Sequence, residues 1–237
     1  MTGRIDVHSH LLPGVDDGCA SLEESLQCAR RMVSAGYTHT FCTPHYWPNL
    51  STSVATVAQW TTDLQAALDA AGIPLRLIPG AEINLRPGIS DIPPAEIITY
   101  GLAGKHMLID LWADVLPGHF EPQVKWFQSL GMTVILAHPE RMKAVQTEPQ
   151  LADYFEELGV LLQGNLQCFS DEPGDATRVT VERYLKEDRY FLLGSDLHNY
   201  RTLGVRLNGL QRAIELAGEE KVNRLTRQNP RTLMIAC

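Results

Sequence analysis

Seven short β-rich runs, near 4–8, 37–43, 75–81, 106–111, 132–137, 159–164 and 190–195, alternate along this chain with longer segments of helical spacing. Parallel strands can be joined only by crossovers long enough to hold a helix, so this alternation predicts βαβ units and a parallel sheet. Ser21 with Glu24 three residues on forms a capping-box pattern, and Leu22, Leu26, Ala29 and Val33 follow at helical spacing. Further helices are predicted near 54–71, 120–130, 149–158, 175–187, 202–217 and 219–227, and the Pro-rich stretch 87–94 as a surface loop. Asn229-Pro230 reads as an N-cap and a proline suited to a first turn. With 237 residues and 44% apolar content, one domain over 1–237 is expected, the size of an all-in-one β/α barrel.

Six of the seven runs are followed at once by side chains of metal-ligand type: His8 and His10, His45, Glu82, Asp110, His138, and Asp196 with His198. The sixth run ends instead at Gln163-Gly164-Asn165. In a parallel barrel all strand ends open on one face, so residues distant in sequence converge on one pocket. His8 and His10 stand on the same side of an extended chain, because side chains alternate with period two. Asp16-Asp17-Gly18 adds carboxylates in the next loop. Imidazole and carboxylate without thiolate suit Mn, Fe or Zn. His39, inside the second run, and His106, at the start of the fourth, are read as structural, while His119, at the head of a helix, is left undecided between a structural and a site role.

A formal charge of −8 and a pI near 5.5 exclude a partner held by phosphate-backbone electrostatics, so no nucleic acid is expected. No apolar run approaches the ~20 residues of a membrane helix, and no charged-then-apolar leader pattern opens the sequence. The five cysteines, at 19, 28, 42, 168 and 237, form no CxxC pair, and scattered thiols fit the reducing cytoplasm. A thiolate phosphatase needs an Arg six residues after its Cys. Those positions hold Ser25, Ser34, Pro48 and Gly174, and Cys237 is the last residue.

Ile5-Asp6-Val7-His8-Ser9-His10 and Leu12-Pro13-Gly14-Val15-Asp16-Asp17-Gly18 resemble the opening of the polymerase and histidinol phosphatase (PHP) superfamily. The likeness is strongest to its branch of bacterial capsule and exopolysaccharide manganese-dependent protein-tyrosine phosphatases. Thr43-Pro44-His45, Gly80-Ala81-Glu82, Ala137-His138-Pro139-Glu140-Arg141, Ser195-Asp196-Leu197-His198-Asn199 and Asn229-Pro230-Arg231 follow in that branch's order, so the resemblance spans roughly 4 to 235.

The resemblance implies a distorted (β/α)7 barrel of TIM-like type holding three divalent ions, Mn first and Fe or Zn as alternatives. One ion falls to His8, His10, Glu82 and Asp196. Glu82 bridges to a second at Asp110 and His138, and Asp17, His45 and His198 hold the third. The branch typically has Glu where this chain has Asp110, and the shorter arm is expected to move that ion or add a water. Arg141 is expected to bind phosphate and to act in catalysis with Asp196 and His198, and Arg201 or Arg206 to supply a second phosphate contact. Tyr46-Trp47-Pro48-Asn49 lacks the basic residues of the family loop, and its aromatics are placed to stack on a substrate ring.

The implied reaction is phosphoester hydrolysis by a hydroxide generated between two ions, without a phosphoenzyme. The implied partner is a phosphorylated protein, such as the tail of a tyrosine kinase. A small phosphomonoester such as histidinol phosphate is the alternative substrate, and a catalytically silent binding module a third reading. Barrel amidohydrolases also use His and Asp ligands but typically add a carboxylated lysine at a strand end, and no predicted strand here ends in Lys. The sequence leaves the oligomeric state open.

Overall fold

The computed structural model describes residues 3–47 and 50–234; Pro48, Asn49 and Cys237, named above, lie outside them. Its strands are β1 (Arg4–Asp6), β2 (Tyr37–Cys42), β3 (His45–Tyr46), β4 (Arg76–Pro79), β5 (Glu82–Asn84), β6 (His106–Asp110), β7 (Thr133–Ala137), β8 (Leu161–Asn165) and β9 (Tyr190–Gly194). Its helices are α1 (Leu22–Ser34), α2 (Val54–Ala70), α3 (Phe120–Ser129), α4 (Lys143–Thr147), α5 (Leu151–Glu157), α6 (Ala176–Lys186), α7 (Tyr200–Ala217) and α8 (Glu219–Asn223). The strands form two sheets, in the orders β1-β2-β4 and β3-β5-β6-β7-β8-β9, and every pairing is parallel.

The described residues thus hold nine strands where seven were expected, because the second and third runs are each followed, after a two-residue break, by a further short strand. Pro44 has no N–H to give a ladder, and Gly80 lies where a Cβ would come within 3.3 Å of Thr43 Cγ2. Past the breaks, β3 and β5 pair with each other, His45 opposite Glu82, and join the larger sheet. Two ligand candidates are thereby set side by side. The chain beyond β1 also bonds to the chain beyond β9: Asp196 N donates to His8 O and His10 N to Leu197 O, both at 2.8 Å. On its other side, Ser9 O accepts from Thr43 N at 2.8 Å.

The strands are buried on both faces with period two. Ile5, Phe41, Ile78, Leu108, Ile135 and Leu192, from six different strands, form one apolar cluster with Val7, Tyr100 and Leu233. Their neighbours Met107, Ile109, Val134, Leu136, Leu162 and Leu193 belong to a second cluster shared with the helices. Each such side chain contributes about 1.5–3 kcal/mol by leaving water.

The helices follow the periodicity closely, with three local differences. Ser21 Oγ accepts from Glu24 N at 3.3 Å, but Glu24 Oε2 reaches Ala20 N rather than the cap's own N–H, and its Oε1 accepts from Tyr200 N at 3.1 Å, tying α1 to the start of α7. The short α4 precedes α5 where one helix was expected. Asn229 is not an N-cap: its backbone is helical (φ −61°, ψ −42°), continuing a π turn over Arg224–Gln228, and its side-chain amide donates to Phe191 O at 2.8 Å. Tertiary bonding to β9 has taken over the group that would have capped. Among the described residues, no helix is long and apolar enough to cross a membrane.

Candidate metal centre

Ser9 Oγ turns back to Phe41 O at 2.8 Å, so the side chains on either side of it, His8 and His10, face the other way. Their Nε2 atoms stand 3.3 Å apart. Glu82 Oε2 and Asp196 Oδ1 each lie 3.4 Å from both of those nitrogens. Both imidazole nitrogens thus face the same two carboxylates. Imidazole nitrogen and carboxylate oxygen are the donor types that zinc-type cations take.

The donors are aimed from behind. His8 Nδ1 lies 2.8 Å from Gln163 Oε1, and His10 Nδ1 2.7 Å from Asp16 Oδ2, which assigns the proton to Nδ1 and leaves Nε2 free to ligate. Asp16 also accepts from Gly18 N and His45 N. A Cβ on Gly18 would sit 2.2 Å from His10 O, so this loop passes too close for any side chain there. Asn165 Nδ2 donates to Asp196 Oδ2 at 2.8 Å, and the Asp6 carboxylate accepts from Ser195 N and Oγ, fixing the turn that carries Asp196. Asp196 and His138 hold φ values of 51° and 32°, left-handed conformations that cost free energy in a non-glycine residue and cluster at functional sites.

Two further groups share this centre. Glu82, Asp110 and His138 offer ligand atoms within 4.8 Å of one another, with His138 Nε2 2.8 Å from Glu82 Oε1. Burial raises the Glu82 carboxyl, but the imidazoles of His8, His10, His138 and His45 outweigh it and hold the group well below the usual carboxylate range. Asp110 has no such bonds. Burial, with the Glu82 charge next, pushes it up to about 6, and both its oxygens are buried without a hydrogen-bond partner. An orphaned buried carboxylate is costly unless a cation completes it. The third group joins Asp17, His45 and His198 with the edge of His10. Asp17 Oδ1 lies 3.3 Å from His45 Nε2 and 3.5 Å from His198 Nε2, and bonds to those two rings hold its carboxyl far below the usual range.

A cavity of about 130 Å³ opens over these groups. Glu82, His138 and Asp196 form its buried floor, while Asp17, Trp112 and Arg141 remain partly exposed around it. Arg141 Nη1 donates to Asp196 Oδ2 at 2.9 Å, and its guanidinium carbon lies 4.6 Å over the Trp112 ring.

The nine predicted ligands therefore meet at one centre, and Arg141 lies beside it. The two alternative arginines do not line the cavity. Arg201 is exposed on α7, and Arg206 is buried with Nε on Asp196 O at 2.8 Å and Nη1 on Thr202 O. Its place is behind the ligand turn, where a helix turn of spacing from Thr202 brings it, rather than on the cavity wall. His39, His106 and His119 belong to none of the three groups. The orienting residues Gln163, Asn165 and Asp6 had no assigned role in the sequence, and Asp16 was offered only as a loop carboxylate; the one further signal was the polar end of β8, the strand without a ligand.

The family profile for capsular polysaccharide synthesis proteins CpsB/CapC matches residues 4–235. Tyrosine-protein phosphatase YwqE of Bacillus subtilis is 27% identical over 200 residues, covering 84% of this chain and 78% of YwqE. Tyrosine-protein phosphatase CpsB of Streptococcus pneumoniae is 24% identical over 242 residues, covering 98% of each chain. A solved structure from work on YwqE and CpsB, described as unique metal-dependent tyrosine phosphatases, superposes with a TM-score of 0.88 at 25% identity, over 97% of this chain and 94% of that one. With a match over almost its whole length, this chain belongs to the CpsB/CapC family of capsular polysaccharide synthesis.

Proposed function

We propose that this protein is a metal-dependent protein-tyrosine phosphatase serving capsule or exopolysaccharide synthesis, with a phosphotyrosine-bearing protein such as a kinase tail as its substrate. One observation carries the reading: three convergent groups of nitrogen and oxygen ligands lie at and behind the wall of an open cavity that Arg141 also lines. The relatives' names support the choice of substrate.

Three ions are proposed, Mn first with Fe or Zn as alternatives, held by His8, His10, Glu82 and Asp196, by Glu82, Asp110 and His138, and by Asp17, His45 and His198. Bound there, divalent ions would supply Lewis acidity toward phosphoryl oxygens and acidify a water for attack on phosphorus. Arg141 takes phosphoryl oxygens on its planar fork, held at the cavity by Asp196. Asp17 and Asp196 are held ionised and offer no carboxylic acid to protonate a leaving alkoxide. A phenol, with a pKa of ~10, departs without that help, which favours aryl esters.

We read the frame as a distorted seven-unit (β/α) barrel over one domain. The bonds between the chain beyond β1 and the chain beyond β9 support closure, and Arg4 Nη1 bonded to Asn223 and Thr226 ties the two ends of the chain together. The buried free thiols of Cys19, Cys28, Cys42 and Cys168 support a reducing, cytoplasmic setting.

The test is elemental analysis together with hydrolysis of phosphotyrosine peptide, p-nitrophenyl phosphate, histidinol phosphate and a phosphodiester. The expected result is more than one metal equivalent and chelator-sensitive release of phosphate, fastest from the aryl esters. A metal-free active protein, or one preferring histidinol phosphate, overturns the reading.

A further inference from the structure

Two indoles line the cavity over the metal groups, Trp47 and Trp112, and each lies two residues past a ligand, His45 and Asp110. Both lie just past the end of the strand that carries the ligand, and both line the same cavity. An aryl phosphate with its phosphoryl group toward Arg141 and the ligand carboxylates would have its ring within reach of this lining. The two indoles differ in how they are held. Trp47 is stacked on His45 at 4.2 Å with 22° between the planes. Trp112 is 57% exposed, the most exposed aromatic side chain among the described large hydrophobics, and touches the site through Arg141 at 4.6 Å and His138 at 6.1 Å between ring centroids.

A large apolar ring left this exposed loses the free energy of burial, and no core contact explains its position. We infer that Trp112 is a specificity-determining residue, contacting the leaving-group ring of an aryl phosphoester and so selecting aryl over alkyl substrates. The inference rests on the phosphatase reading above. The contact is apolar and aromatic, so it discriminates by the organic group while the metals and Arg141 hold the phosphoryl end. An alkyl ester gains little from it, since it offers no ring and less area to cover.

The test separates binding from chemistry by using non-hydrolysable inhibitors of aryl phosphate hydrolysis: benzylphosphonate, which places a ring where the phenol sits, and propylphosphonate, which does not. In Trp112→Leu the inhibition constant for benzylphosphonate is expected to rise about 5- to 150-fold, the range of a lost ring-stacking contact, while that for propylphosphonate stays within about twofold. Trp112→Phe is expected to restore most of the selectivity. Equal weakening of both inhibitors would mean that Trp112 serves only Arg141 and would overturn the inference, as would no change in either. Loss of metal or of the folded state in both Trp112→Leu and Trp112→Ala would make the ring structural and overturn it too. A wild-type protein that hydrolyses no aryl phosphate sinks the phosphatase reading instead, whereas an active wild type with unaltered selectivity in Trp112→Leu sinks this inference alone.

Discussion

Gln163 Oε1 stands 2.8 Å from His8 Nδ1, and that contact turns the opposite nitrogen of the imidazole toward Glu82 and Asp196. Gln163 carries no charge and touches no proposed ion, yet it sets the tautomer. Gln163→Leu is expected to keep the fold and weaken metal affinity about 10- to 100-fold. Titration against a competing chelator measures it, and unchanged affinity would show that His8 is oriented by packing alone.

Arg141 touches the ligand Asp196, but Asp196 keeps the Asn165 amide if Arg141 is removed. Arg141→Ala should therefore leave metal content and melting temperature nearly unchanged. Losing a charge-assisted contact to phosphate costs about 2–5 kcal/mol, so kcat/KM on an aryl phosphate should fall about 30-fold to several thousandfold. Near-normal kinetics would place the phosphate contact elsewhere, with Arg201 the next residue to test.

Glu82, Asp110 and Asp196 are three buried carboxylates gathered around one centre. Binding to the folded state alone adds about 2.7 kcal/mol per site at a hundred times Kd. In a domain of this size that corresponds to a rise in Tm of roughly 5–10 °C per filled site. Differential scanning calorimetry with and without chelator should show it; identical melts would argue against the ligand groups acting as sites.

His39 and His106 are held neutral, each chiefly by burial, helped by Arg76 and Lys105 respectively. Their folded pKa values lie below the unfolded one, so below about pH 6.5 the unfolded chain binds more protons. Stability from this source is complete above that pH and is lost as the pH falls. Replacing both with Gln should flatten the acid limb of Tm against pH relative to wild type. An unaltered acid limb would show that neither ring matters to acid unfolding.

Cys19, Cys28, Cys42 and Cys168 are buried and none lines the cavity. Alkylation of the folded protein should leave aryl phosphate hydrolysis largely intact, as should replacement of all five cysteines with Ser if the protein folds. Selective inactivation by modifying one thiol would count against a metal-based reaction.

The sequence by itself determined the order of strands and helices, because period-two and helical spacing are local properties that survive translation along the chain. It also pointed to eight of the proposed ligands, which follow strands whose parallel ends open on one face, while Asp17 was offered by the loop after His10. It did not show that β2 and β4 break before their ligands, because the exchange of partners at Pro44 and Gly80 depends on which strand lies alongside. Nor did it separate Arg141 from Arg206. Both lie near ligands in sequence, and only packing sends one guanidinium to the cavity and the other to the carbonyl of Asp196. Gln163 and Asn165 remained mute for the same reason: a polar strand end acquires its role from the imidazole and carboxylate that two other strands bring within hydrogen-bond reach.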